Sequence, residues 1–332
     1  MAYLNDTQIV SRSDSAAIDM PTEVGKDVVK AMEAESVVMR LGRKVAMSSK
    51  SYRQPMISGL PTASWVNALS GGSTDTGLKS QTTVKFGGAT LTAEPVAALV
   101  VIPDDFFDDS MVPLWDEVKP LVAEAIGRKI DDAALWNINR PASWTDSVYT
   151  NAVAAGNYVN LGQNKGMVPG TAGSDLAQDV AMTALQVSQD GFNPTGFAYK
   201  NGLQWEVLGA RTSTGEALFT TLAGEYSGPG MYGLPAVESR NGAWKAGVHA
   251  VAGDWDKAIV GIRQDVSYTI HTDAVITDAA GAVIFNAMQQ DSKIMRVVAR
   301  IGFAIANPQT QQNTTSSRSP FSILLNNGTA GS

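Results

Sequence analysis

With 332 residues, 44% of them hydrophobic, the chain can bury a sizeable core in one or two domains, although only 17% of its residues are charged. A net charge of −7 excludes a broad cationic surface for nucleic acid, and the absence of cysteine excludes disulfides, thiolate metal sites and cysteine nucleophiles. No run of about 18 apolar residues exists to span a membrane and the N-terminus lacks a secretory signal, so we expect a protein made and kept in a cytoplasm.

An arm, a helix and a long hairpin are predicted in the first 91 residues. Residues 1–20 are polar and are expected to form an extended arm. A helix is predicted to begin at Pro21 and to end at Gly42. Strand-like runs on both sides of a Gly/Ser/Thr-rich turn predict a hairpin over 48–91. This hairpin has few apolar residues to bury, so it is marginal in water unless a partner covers it.

A long amphipathic helix is predicted over 109–137, because apolar residues recur three and four positions apart from Leu114 to Ala134. The acidic residues and Ser110 before it suit its N-terminal cap. Pro120 lies inside the pattern, where it lacks an N–H and costs roughly 3 kcal/mol in a straight helix. We therefore predict a bend at Pro120, or a first turn separate from the main body.

The rest of the chain is predicted to be a mixed α+β region. We expect a polar loop over 140–173 and then a helix over 174–189. A short strand, a turn and a helix follow, and four strands are predicted over 236–272. A last long strand is predicted over 293–308. The residues from 309 to 332 are expected to be loosely held, apart from the apolar run FSILL.

No motif in the sequence argues for an enzyme, and we assign no catalytic, cofactor-binding or metal residue. His249 and His271 lie in predicted strands without metal-ligand spacing, so a structural role is favoured. The run from Gly228 to Gly233 matches GxGxxG, but a strand rather than a helix follows it, which disfavours a dinucleotide site. The acidic run 104–109 fits helix capping better than cation binding.

Several segments occur in a specific order along the chain. The long helix is preceded by IPDDFFDDS and ends with IDDAALWN. Next come three further segments, which are GFNPTGFAYKNGLQW, GLPAVES and AVAGDWDKAIVGIRQDV. The last segment is RVVARIGFAIANP. Each segment is weakly specific, but their order and spacing together are fairly strong. Over roughly residues 20–310 the chain resembles the major capsid proteins of tailed bacteriophages, the HK97-like family.

The resemblance implies an α+β, HK97-like capsid fold with a defined division of the chain. It implies an N-terminal arm (1–20), a peripheral-domain helix region (21–47), an extended loop or E-loop (48–91), a peripheral domain (92–149) with a spine helix (109–137), an axial domain (150–285), a returning peripheral-domain strand (286–310) and a C-terminal tail (311–332). The hairpin would lie across a neighbouring subunit. Its candidate contact residues are Trp65, Lys79, Lys85 and Phe86.

The resemblance also implies a structural role in the virion. The family assembles as pentamers and hexamers into an icosahedral shell around double-stranded DNA, which we expect to be held without sequence-specific contact. The implied partners are copies of this chain and a portal protein. The helix at Thr22 follows Met1 closely, which favours a separate scaffolding protein, or none, over a fused one. A decoration protein, if present, would bind near the hairpin or the 140–173 loop. Assembly is expected in the host cytoplasm, without a membrane or cofactor.

Two further roles are implied for single residues. Some family members form isopeptide cross-links between a hairpin lysine and a distant asparagine, and Lys79 and Lys85 are candidates by position. A bend at Pro120 would suit the expansion that shells of this family undergo.

Two other functions are compatible with the sequence. An encapsulin-like nanocompartment shell has the same fold but encloses a cargo enzyme; the long hairpin and the Gly- and Asn-rich loops favour a phage shell instead. A hydrolase with an unrecognised carboxylate pair is the third, but no spacing in the sequence suggests such a pair.

Overall fold

A computed structural model describes residues 36–63, 81–104, 114–162, 176–208 and 230–326. The helices within these ranges are Val37–Leu41 (α1), Leu114–Trp136 (α2), Val148–Ala155 (α3), Leu176–Gln189 (α4) and Leu203–Leu208 (α5). The strands are Arg43–Ala46 (β1), Ser51–Gly59 (β2), Lys85–Thr92 (β3), Glu94–Pro103 (β4), Tyr158–Asn160 (β5), Gly196–Lys200 (β6), Gly230–Met231 (β7), Leu234–Ser239 (β8), Val248–Gly253 (β9), Ala258–His271 (β10), Val275–Thr277 (β11), Val283–Asn286 (β12), Ser292–Ile305 (β13) and Phe321–Leu325 (β14). Single 3₁₀ turns occupy Trp255–Lys257 and Ala287–Gln289.

The strands form two principal sheets and two small ones. One principal sheet has four strands in the order β1-β10-β13-β4, and the other has six in the order β5-β14-β9-β6-β8-β7. A buried cluster of apolar side chains from α2 and α3 joins one face of each principal sheet. Helix α4 covers the opposite face of the six-stranded sheet. The pairs β2–β3 and β11–β12 each form a two-stranded sheet.

Helix α2 confirms the predicted long helix from Leu114 onward. Val122, Ile126 and Ile130 are buried at the predicted spacing, whereas Leu121, which was also counted in the apolar stripe, is 63% exposed. The helix runs uninterrupted through position 120, so the alternative of a separate first turn is wrong. The bend at Pro120 stays a prediction, and residues 109–113 lie outside the described residues.

The helix predicted to end at Gly42 is confirmed only at that end. Ser36 has extended backbone, with φ −88° and ψ 124°, and its hydroxyl accepts a hydrogen bond from the N–H of Met39. A helix predicted to run through this position is therefore wrong, because a serine that bonds the backbone of the next turn starts a helix rather than continues one. Residues 21–35 lie outside the described residues.

The loop predicted over 140–173 contains α3 and β5, so that prediction is wrong. Ser147 caps α3 by accepting from the N–H of Thr150, and Gly156 ends it in the left-handed region at φ 80°. Both signals were present in the sequence. The two strands predicted within 257–272 are one strand, β10, whose two register shifts between Ile262 and Ser267 absorb the polar residues there.

The loosely held tail predicted from residue 309 is wrong for residues 309–320, and the run FSILL, which was excepted from that prediction, forms strand β14. Strand β14 lies between β5 and β9, and its five residues are buried. The segment before it is fastened by the carboxylate of Asp190. This group accepts hydrogen bonds from the side-chain amides of Asn157 and Asn313, both at 2.7 Å, and from the N–H of Ser319 at 2.8 Å.

Candidate inter-subunit surfaces

The hairpin, residues 48–91, is anchored at its base and open at its far end. Its strands pair antiparallel from Ser51 opposite Thr92 to Gly59 opposite Lys85, which confirms the predicted strand pairing. At the base, Leu91 is fully buried and packs with Ile259 against the four-stranded sheet. The 306–310 segment supports β2, since the N–H of Gln309 donates to the carbonyl of Ile57 at 3.1 Å.

Apolar side chains are exposed at the far end of the described hairpin. Ile57 is 41% exposed, Val84 is 44% exposed and Phe86 is 76% exposed. Within the described residues, β2 and β3 pair only with each other, so each presents an outer edge to further strands. Exposed large apolar side chains beside open strand edges are typical of a surface that another chain covers.

The hairpin is cationic in an acidic chain. It contains Lys50, Arg53, Lys79 and Lys85 against one acid, Asp75, so its net charge is 4 − 1 = +3 while that of the whole chain is −7. Lys85 is exposed beside Phe86 on β3. Trp65 and Lys79, the other two predicted contact residues, lie outside the described residues.

A second exposed apolar surface lies on the flap, which we define as residues 272–291. Phe285 and Ala287 are buried against Val101 and Ile294, so the flap is fixed to the end of the four-stranded sheet. Three of its side chains face solvent, with exposed fractions of 48% for Val275, 63% for Val283 and 78% for Met288.

The flap has the opposite charge to the hairpin. It contains Asp273, Asp278 and Asp291 and no cation, so its net charge is −3. The carboxylate of Asp278 accepts the N–H groups of Ala280 and Ala282 within its turn, whereas Asp273 is exposed. The sequence analysis missed this surface, although a run of 20 residues with three acids and no base was a visible signal.

A buried carboxylate connects two helices and the six-stranded sheet. Asp131, on α2, is fully buried and accepts four hydrogen bonds: from the hydroxyl of Ser36 (2.7 Å), from the N–H groups of Val37 (2.9 Å) and Val38 (3.1 Å), and from the amide of Asn241 (2.8 Å). Burial raises the pKa of Asp131 to about 6, while the four hydrogen bonds act in the opposite direction. Asn241 follows β8, so the cluster connects α1, α2 and the six-stranded sheet.

The groups considered for catalysis or metal binding are dispersed. His249 lies on β9, where burial and the nearby Lys200 lower its pKa; its Nδ1 atom has no hydrogen-bond partner among the described residues, contrary to the satisfied role expected. His271 is exposed at the end of β10. Gly233 leads into strand β8, as expected from the sequence, and not into a helix.

The described part of the chain has neither a membrane-spanning helix nor a cluster of metal ligands. No helix there is long and apolar enough to cross a membrane. No three His, Asp or Glu side chains in the same ranges lie close enough together to hold a metal ion.

Comparisons with known proteins agree with this architecture. The model of the phage capsid family matches residues 17–310. The major capsid protein of Staphylococcus phage 80alpha is 23% identical over 292 residues, which are 84% of this chain and 79% of that protein. A solved chain from Mycobacterium phage Adephagia is 25% identical with a TM-score of 0.75, and one from Mycobacterium phage Cain is 26% identical with a TM-score of 0.74; each match covers 96% of this chain and 99% of the other.

The family match spans most of the chain, and the solved phage structures share its fold over nearly its whole length. The resemblance to HK97-like capsid proteins is thereby confirmed, and an encapsulin-like shell is not favoured. The chain belongs to the phage capsid family and is a structural protein of the phage shell.

Proposed function

We propose that copies of this chain assemble as pentamers and hexamers into an icosahedral head shell that encloses double-stranded phage DNA. The observation that carries the proposal is the hairpin, whose base packs against the four-stranded sheet while the far end of its described part exposes Phe86 and two open strand edges. An isolated two-stranded hairpin with an exposed aromatic residue gains stability when a neighbouring subunit covers it.

In this proposal the two principal sheets belong to different parts of the shell subunit. The four-stranded sheet and α2 serve as the peripheral domain with its spine helix, and the six-stranded sheet serves as the axial domain around the five-fold and quasi-six-fold axes. In this proposal β10 moves from the 150–285 span of the axial domain to the peripheral domain, because it pairs with β13. Residues 321–325 join the axial domain, because β14 pairs with β9. Contacts around rotation axes close the shell, and many modest contacts act together once they lie within one particle.

The flap of a neighbouring subunit is the proposed partner surface of the hairpin. Net charges of +3 and −3 favour their encounter, and each surface also exposes apolar side chains that the other would cover. The chain as a whole is acidic, so we expect packaged DNA to be screened mainly by counterions and to contact the shell without sequence preference. We also propose that the shell assembles in the host cytoplasm, with a portal protein and a separate scaffolding protein as partners.

Charge reversal on the two surfaces tests this pairing. Lys85→Glu and Asp273→Lys are each expected to lower the yield of closed shells several-fold at low salt, and the double variant is expected to restore much of it. Asp256→Lys is the matched control, because it makes the same change at an exposed carboxylate outside the flap. Sedimentation and electron microscopy of the full-length protein measure the yield.

The outcomes test separately whether the hairpin takes part in assembly and whether its partner is the flap. A double variant no better than either single one would show that the hairpin contacts a surface other than the flap. A shell yield unchanged in both Phe86→Ser and Lys85→Glu would contradict the hairpin's role in assembly. Nuclease-protected DNA is the expected content of mature particles, whereas an enclosed enzyme would indicate a nanocompartment.

A further inference from the structure

The Asp131 cluster occupies the point at which the first 35 residues join the described body. Ser36, Val37 and Val38 supply three of the four hydrogen bonds that Asp131 accepts, and they are the first described residues of the chain. The fourth donor, Asn241, is itself fixed: its side-chain oxygen accepts from the N–H of Ala243 at 3.0 Å. The attachment of α1 to the body therefore combines the burial of Val37, Val38 and Met39 in the core with the hydrogen bonds made to one side chain of α2.

The charge of this carboxylate is not balanced by a cation. Burial and the four hydrogen bonds account for the behaviour of Asp131, and no charged neighbour contributes. Charged side chains do occur on each of the three surrounding segments. On α2, Lys129 pairs with Asp132. Beyond β8, Arg240 pairs with Glu238, and Lys245 lies over the ring of Tyr149. Arg40 on α1 is exposed, as is Arg128 on α2. An ionised carboxylate held this way is costly to bury.

We propose that Asp131 and its four donors form a proton-sensitive latch that holds α1 on the body of the subunit and that tightens when Asp131 is protonated. The geometry accommodates the proton at one place. Ser36 is the only partner whose bond can reverse, because a hydroxyl both donates and accepts while N–H groups only donate. The proton added to Oδ1 is donated to the oxygen of Ser36, which also keeps the hydrogen bond from the N–H of Met39. The hydroxyl hydrogen of Ser36 turns away from the carboxyl, while Val37, Val38 and Asn241 continue to donate to it.

The direction of the effect follows from linkage. Asp131 binds its proton more tightly in the closed latch than in an open one, where water reaches the carboxyl and its pKa returns toward 3.8. Closure is therefore strongest at low pH and weakens as the pH rises through about 6. Between pH 7 and pH 5 the closing equilibrium is expected to change about tenfold.

Amide hydrogen exchange of the full-length, unassembled protein tests the latch. Protection factors for the 37–42 amides, corrected for the intrinsic pH dependence of exchange, are expected to rise about tenfold from pH 7 to pH 5 in the wild type. In Asp131→Asn that dependence is expected to disappear. In Ser36→Ala the rise is expected to begin at a higher pH, because the ionised carboxylate loses a donor that lowers its pKa. Asp132→Asn, a neighbouring change on the same helix, is the matched control and is expected to keep the wild-type profile.

Either of two results would overturn the proposal. One is amide protection in the wild type that does not change between pH 7 and pH 5. This measurement needs no variant, so it tests the latch even if Asp131→Asn does not fold. The other is a Ser36→Ala variant whose protection begins to rise at a lower pH than in the wild type, since the hydroxyl would then favour the protonated carboxyl over the ionised one.

Discussion

Gly253 shows how closely the six-stranded sheet is packed at the level of a single residue. A Cβ atom at this position would lie 2.2 Å from the Cδ1 atom of Phe321 and 3.0 Å from the carbonyl oxygen of Pro320. Phe321 has no room to move, because it is fully buried and meets the ring of Trp255 edge to face, with centroids 5.3 Å apart. The glycine is therefore required for β14 to approach β9.

We expect Gly253→Ala to destabilise the subunit by roughly 3 kcal/mol, because the added methyl group forces β14 away from β9. The measurement is the denaturant midpoint of the unassembled protein, followed by tryptophan fluorescence. Gly87→Ala on the hairpin is the control: its Cβ atom would come no closer than 3.2 Å to the side chain of Ser58, so little change is expected. An equal loss in both variants would contradict this explanation.

Single buried polar residues were the hardest features to predict from the sequence. Sequence patterns assigned Asp131 no role beyond membership of the IDDAALWN segment, and they assigned Asp190 no role. The reason is distance along the chain: Ser36 is 95 residues from Asp131, and Asn313 is 123 residues from Asp190. Local patterns give the type of an element but not the distant donors that a carboxylate meets. The hairpin residues Lys85 and Phe86 could be predicted as exposed because a polar, glycine-rich hairpin has little to bury.

At the scale of elements, β14 is the clearest case of a strand that the chain cannot lose. All five of its residues are buried, and it pairs with β5 on one side and β9 on the other. Each of its four large apolar side chains contributes about 1.5–3 kcal/mol when fully buried. The loss of these four side chains, roughly 6–12 kcal/mol in all, is therefore comparable to the net stability of a typical domain, which is about 5–15 kcal/mol.

Two truncations of the chain test this expectation. A chain ending at Asn326 keeps every described contact of β14, so it should fold and assemble as the full chain does. A chain ending at Ser319 lacks β14 and should be insoluble or unfolded by circular dichroism. Native spectra and normal shells from the shorter chain would show instead that the FSILL run is dispensable.

Elements with a regular apolar period were predictable, and short, largely apolar elements were not. Helix α2 and the hairpin strands each show a one-sided pattern, because one face of each contacts solvent. Helix α3 and strand β14 are short and largely apolar, so their periodicity does not distinguish a helix, a strand or an apolar patch in a tail. Their placement depends on sheets that assemble from distant parts of the chain.

At the scale of the assembled shell, Pro120 is the residue we expect to affect expansion. It sits within α2, where a residue without an N–H leaves one carbonyl of the preceding turn unbonded. Pro120→Ala restores that hydrogen bond and should stiffen the helix, so we expect shells that expand later or less completely. Ala125→Ser, at an exposed position further along the same helix, is the control. Particle diameters from electron microscopy along an expansion series would measure the effect, and identical series would refute it.

The position of β14 also has a consequence for the order of events during synthesis. A ribosome makes this strand after every other described strand, yet its place is between β5 and β9. Until residues 321–325 emerge, β5 has no neighbour in the six-stranded sheet and β9 lacks one of its two. We therefore expect nascent chains to join a growing particle only after translation passes this strand, and products that stop short of it to be left out of the shell. The strand acts as a check on completeness that is built into the order of the chain.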